Sequence, residues 1–172
     1  FKSKLLFLYF LFCLIAISFT SKAQNISNEG TSFWLCFPAH IEANNNSLAS
    51  ISVFITSKSN SSGKVQCGSW SKNFSVVANT ITEIILPRDS SYLGNGTNIF
   101  TDKGIKVIVD PGKPKIVVYG HIFAGARSAA TLVLPNEALG QKYHAMSYTQ
   151  SRLGGGVSQL NVVAVEANTT IN

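Results

Sequence analysis

Short runs in which apolar and polar residues alternate punctuate this chain. Ile51, Val53 and Ile55 share one side of an extended segment, Phe74, Val76 and Ala78 one side of another, and Ile105, Val107 and Val109 one side of a third. A period of two places such residues on one face of a β-strand. Two runs, Ser32–Phe37 and Ile116–Phe123, are apolar at both parities, which predicts a first strand buried on both sides and a second in the middle of a sheet. Further strands are predicted at Lys64–Trp70, Ile81–Leu86, Thr131–Leu134, Lys142–Tyr148, Val157–Ala167 and Thr169–Ile171. Turn chemistry separates them: Ser57–Gly63, Asn79-Thr80, Asn95-Gly96, Pro111-Gly112-Lys113-Pro114, the small-residue turn Ala124–Ser128, and Gly154–Gly156. The first of these turns predicts a hairpin of 51–56 with 64–70. The only helical candidate is Asn136–Leu139, capped by Asn136 and stopped by Gly140. About ten short strands with turns every ~8–12 residues predict an all-β fold, an antiparallel β-sandwich-like domain.

The first 23 residues break this pattern. Lys2 and Lys4 precede the apolar run Leu5–Phe19, and Ser21-Lys22-Ala23 supplies small residues where a signal peptidase reads them. The run is shorter than the ~20 residues that span a bilayer, so it reads as a signal peptide, residues 1–23, and not an anchor. The domain is then 24–172, exported, with no stable membrane span after processing. The chain opens on Phe1 and closes on Asn172 inside a strand-like run, so a truncated C-terminal end and further domains beyond it are expected.

Removing the signal changes the charge. The whole chain carries 14 basic and 8 acidic residues, but three of the lysines leave with residues 1–23, and the net charge falls from +6 to +3. The remaining lysines are scattered, which argues against a phosphate-tracking stripe and a nucleic-acid partner. Cys36 and Cys67 remain in an oxidising setting and are candidates for a disulfide, with two buried free thiols as the alternative.

Candidate chemistry is sparse. No G-x-S-x-G string and no helix to follow it are present. His40, His121 and His144 share no spacing, and neither HExxH nor paired cysteines at zinc spacing occur. His121 reads as a packed ring on the Tyr119/Phe123 side of its strand. Asp89, Asp102 and Asp110 lack the alternation of a calcium loop. Gly94-Asn95-Gly96 has Ile99 where a third glycine of a dinucleotide fingerprint belongs, and Gly154–Gly156 is followed by Val157 where a phosphate loop has lysine. No cofactor and no catalytic residue are expected. Arg127, on a tight Gly/Ala turn, is the one weak binding candidate, a guanidinium able to grip a carboxylate or sulfate, with a solvated loop arginine as the alternative.

Several stretches also resemble a known family in order: Asn28–Trp34, Lys103–Val107, Val118–Phe123, Ser128–Pro135 and Val162–Ile171. The chain is similar to the IgGFc-binding N-terminal domain family, and more closely to its members in secreted, multi-domain proteins of Bacteroidota. The resemblance spans residues 28 to 172. It implies a scaffold with no catalytic residues to carry over. In a bacterial chain the Asn-x-Ser/Thr strings at Asn25, Asn45, Asn60, Asn73, Asn95 and Asn168 are then chance and not glycan acceptors.

Together these features predict a non-catalytic extracellular recognition, adhesion or structural module, secreted or at the cell surface. Its expected partner is an extracellular protein or glycan. The alternative is an accessory or catalytic domain acting on extracellular polysaccharide, which requires a pair of carboxylates across a groove. Glu42, Glu83, Glu137 and Glu166 are scattered, and Glu83 alone shares a strand face with Ile81 and Ile85.

Overall fold

The computed structural model describes residues 27–40, 49–94, 101–124, 127–146 and 158–171. The predicted signal peptide and the Asn95-Gly96 and Gly154–Gly156 turns lie outside them. Eight strands form within the described residues: β1 (Ser32–Leu35), β2 (Ser50–Thr56), β3 (Ser61–Cys67), β4 (Trp70–Val76), β5 (Ile81–Leu86), β6 (Ile105–Val109), β7 (Val117–Ala124) and β8 (Arg127–Val133). A one-turn helix, α1 (Arg88–Ser91), follows β5, and a 3-10 turn at Asn136–Ala138 follows β8.

The strands make two four-stranded sheets, in the orders β1-β6-β3-β4 and β5-β2-β7-β8, and every pairing is antiparallel. The expected sandwich-like all-β architecture is therefore the one observed. The alternating residues supply its core. Phe33, Leu35, Val65, Phe74, Val76, Ile105, Val107 and Val109 point inward from the first sheet. Ile51, Val53, Ile55, Ile84, Leu86, Val118, Ile122 and Val133 point inward from the second. Burying a side chain of this size contributes roughly 1.5–3 kcal/mol.

Each sheet also has one inward-facing strand glycine where a side chain would not fit. A Cβ on Gly120 of β7 would stand 2.8 Å from Leu35 Cδ1 and 3.2 Å from Phe37 Cζ. A Cβ on Gly63 of β3 would run into the Ile108 carbonyl oxygen and the Phe74 ring. Gly120 lets the opposite layer close down, whereas Gly63 makes room for its neighbours within its own sheet.

The predicted hairpin of 51–56 with 64–70 does not form. β2 lies in the second sheet and β3 in the first, so residues 57–60 carry the chain across the sandwich. Side-chain hydrogen bonds hold this crossing: the Ser57 hydroxyl donates to the Lys115 carbonyl at 2.8 Å, and that of Ser61 to the Pro114 carbonyl at 2.7 Å. The true hairpin is β3–β4. Cys67 pairs with Trp70 there, and Gly68 takes a positive φ of 54° in the two-residue link. Trp70 thus begins a strand and does not end one. Asn79-Thr80 is the tight link expected, with Asn79 at φ 59°, and it returns the chain to the second sheet.

The C-terminal third departs furthest from expectation. Residues 141–146 and 158–171 carry no strand, so Lys142–Tyr148, Val157–Ala167 and Thr169–Ile171 do not form strands in their described parts, and the described residues hold eight strands where about ten are expected along the chain. β-patterned residues make a strand only where a neighbouring edge accepts their hydrogen bonds, and here none pairs with them. The short helical turn after Pro135 is present, but Asn136 does not cap it. Pro135 takes the cap position, and Asn136 Nδ2 donates to Ser32 Oγ at 3.2 Å, tying the turn to β1.

Candidate functional site

The two outer faces of the sandwich differ in kind. On the first sheet the outward positions are Ser62, Lys64 and Gln66 of β3, Ser71, Asn73 and Ser75 of β4, Lys106 and Ile108 of β6, and Ser32 and Trp34 of β1. The Lys106 ammonium lies over the Trp34 ring at 5.4 Å, so even the indole on this face is partly covered by a charge.

On the second sheet the outward positions form rows fixed by the register. One row runs Glu83, Phe54, Tyr119, Leu132, and the next runs Ile85, Ser52, His121, Ala130. A shorter row holds Ser50, Phe123 and Ser128, and Ile81 stands opposite Thr56 at the far end. Ile81 is 70 % exposed, Ile85 61 %, Phe123 46 %, Tyr119 41 % and Leu132 39 %. Large apolar side chains are thus exposed on a sheet whose inward residues already fill a core, which makes this face the candidate contact surface.

Polar groups sit in the middle of this field. The Ser52 hydroxyl donates to Glu83 Oε1 at 2.7 Å, and Ser52 itself is buried beneath its larger neighbours. The His121 ring lies 5.6 Å from Phe54 in a tilted arrangement, and 6.4 Å from Phe123 with the two planes 16° apart. The expected packed histidine thus has Phe54 and Phe123 as its ring neighbours on the outer face. Glu83 is the only carboxylate at the outward strand positions of this sheet, and no lysine occupies one.

The remaining sequence candidates are dispersed. His40 lies beside Tyr92, its backbone N–H donating to the phenol oxygen at 3.0 Å, and His144 is exposed in the strandless segment after the 3-10 turn. With His121 on the second sheet, the three histidines do not meet. Asp110 accepts from the Ser62 hydroxyl at 2.6 Å, a contact that extends the β3–β6 pairing by one residue. Among the described residues no group of three or more His, Cys, Asp or Glu could hold a metal ion. Arg127 opens β8, where its backbone pairs with Ala124, and is a strand residue and not a loop tip.

Cys36 and Cys67 are both free thiols, which corrects the disulfide reading. The register explains why. Leu35 and Cys67 both pair with Ile105, from opposite sides of β6, so β1 and β3 lie two strand spacings apart. That is about 10 Å, beyond the ~7 Å Cα separation a disulfide tolerates. Cys67 donates its thiol to the Ser90 carbonyl at 2.6 Å. Burial pushes the Cys67 thiol up from its ordinary range, and Asp102 adds to this while Lys103 opposes it; burial alone pushes up Cys36.

The β8 edge, its proline stop and the segment beyond are where the chain compares with known proteins. Residues 129–172 match the family model described as IgGFc binding protein. The match begins inside β8 and runs through the strandless residues 158–171, so β1 to β7 lie ahead of it. The broader resemblance read over 28–172 is thus supported by this model over its last part. The comparisons with curated proteins and with solved structures each give no match.

The aromatic face itself was only half legible. The double-sided apolar character of Ile116–Phe123 placed β7 in mid-sheet, as observed. The exposure of its outward half, Tyr119 and Phe123, depends on what packs over the sheet, which no local pattern encodes.

Proposed function

We propose that this chain is an exported, non-catalytic recognition or adhesion module that binds through the outer face of the β5-β2-β7-β8 sheet. Residues 1–23 are its signal peptide and 24–172 its mature domain, at the cell surface or secreted, within a larger protein. The export signal, the family match over 129–172 and the resemblance to surface proteins of Bacteroidota support that setting. Among the described residues no helix is long and apolar enough to cross a membrane. The single observation that carries the reading is the set of exposed apolar side chains Ile85, Tyr119, Phe123 and Leu132 on the outer face of a sheet whose inner face is buried in the core.

The competing polysaccharide-cleaving reading asks for two carboxyl groups across a cleft. Glu83 faces no second carboxylate on its sheet face. The test is binding of the purified chain to surfaces coated with glycans, extracellular proteins or IgG Fc, with a Tyr119→Ser/Phe123→Ser variant in parallel. Capture that the variant loses supports the recognition role. Uniform failure to bind leaves only a structural spacer.

A further inference from the structure

We propose that the aromatic face is a binding subsite for an uncharged oligosaccharide, an inference that rests on the recognition reading above. Size is the first argument. Strands about 4.8 Å apart and rows about 6.8 Å apart make four strands and four rows a plate of about 15 by 20 Å, or about 300 Å². Doubled for corrugation, that still falls short of the ~800 Å² per partner that a stable protein contact buries. The plate fits a short chain of sugar rings better than a second copy of this domain.

Chemistry is the second argument. Phe54, Tyr119 and Phe123 offer ring faces with negative quadrupoles, and the axial C–H groups of a pyranose are weakly positive and apolar. His121 among these rings, and Glu83 on the edge strand beside Phe54, are groups that take hydroxyls. The Glu83 carboxylate keeps lone pairs beyond the one used by Ser52, and the His121 ring carries two nitrogens. A sugar presents both kinds of surface at this spacing, whereas a purely apolar occupant would bury the Glu83 charge unpaired.

Charge is the third. The only ionic group at the outward strand positions is a carboxylate, and no lysine stands beside it. An acidic glycan would meet repulsion. A second copy packed face to face would bring another Glu83 into the same dry layer without a cation to pair it.

The test titrates the whole chain by calorimetry with cellohexaose, xylohexaose, mannohexaose and laminarihexaose, with oligogalacturonate as the acidic probe. Each is repeated on Tyr119→Ser, Phe123→Ser and Glu83→Gln, with Lys64→Ser on the opposite face as control and circular dichroism confirming the fold. Saturable binding of at least one neutral probe is expected, and losing either ring should raise its dissociation constant about tenfold. Glu83→Gln should weaken it less, Lys64→Ser should leave it within about twofold, and oligogalacturonate should bind worst. No binding of any neutral probe overturns the proposal. If IgG Fc or a second copy binds through the same rings instead, the recognition reading stands and the glycan inference falls. If nothing binds, both fall.

Discussion

The first sheet turns Ser62, Lys64, Gln66, Asn73 and Lys106 to water, and the second turns Ile81, Ile85, Tyr119, Phe123 and Leu132. Both sheets draw on one core and the same antiparallel pairing, so folding makes the same demand of each. The first meets it in the ordinary way, apolar inward and polar outward. The second spends β-branched and aromatic residues on a face that contributes little to the core. The stability of the sandwich therefore does not explain these residues, which is the reason the proposed binding site is placed on them.

If the faces share one frame, damage to the core should erase both together. Phe33 is fully buried, and β1 packs it against the second layer. Phe33→Ala should destabilise the domain by about 3–5 kcal/mol, measured by urea unfolding. One cooperative transition followed by probes on either sheet is expected, and two separate transitions would show that the faces do not share a frame.

A subtler comparison sets one glycine of each sheet against the other. Gly120→Ala must displace the ends of Leu35 and Phe37, side-chain atoms that can move a few tenths of an ångström. Gly63→Ala meets a backbone carbonyl, which cannot. We expect about 1–3 kcal/mol lost for Gly120→Ala and the upper end of that range or more for Gly63→Ala. The order of the two is the readout, since a reversal would mean that the packed ends of Leu35 and Phe37 yield less than the β6 backbone.

On the aromatic face the Ser52–Glu83 hydrogen bond is the polar contact with structural consequence. Ser52→Ala removes the donor from beside a carboxylate, and a cost of about 1 kcal/mol by urea unfolding is expected. The rings themselves should behave differently. Tyr119→Ser and Lys64→Ser, one on each outer face, should each fall within about 0.5 kcal/mol of the parent. Only the first should reduce binding of an apolar fluorescent dye, because only the second sheet presents an apolar field.

How far the fold was legible follows from the same geometry. Ile51-Val53-Ile55 and Ile105-Val107-Val109 announced their strands and their inward faces, because a two-residue period has one physical reading. Partner choice was not legible. Ser57–Gly63 looks like a hairpin turn, and only the hydrogen bonds of Ser57 and Ser61 to the 114–115 carbonyls show it to be a crossing between sheets. Val162-Val163 has the composition of a strand without a neighbouring edge to pair with. Of the candidate site, His121 was placed on the correct side of its strand. Its contact with Phe54 required the register of β2 against β7, which is long-range information.

The smallest effect comes from the thiols, and it reports on one sheet alone. Cys36 and Cys67 lie at the ends of β1 and β3, while the described strands of the second sheet hold no cysteine. Both are free, so the intact mass of the chain should not change on reduction, and a loss of two protons' mass in the oxidised form would restore the disulfide. Both thiols are pushed above their ordinary 9.0 by burial. The fold therefore favours the protonated form. That contribution is fully present below the unfolded value, and it is lost as the pH rises from there through the folded value, because the unfolded chain ionises first. Stability should decline slightly above about pH 9, and Cys67→Ser should flatten that slope. Alkylation at pH 8 should be slow in the native chain and fast in urea. Rapid native labelling of Cys67 would mean that the polar-faced sheet opens at the β3 end without global unfolding, and that the sheet with the ordinary surface is the looser of the two.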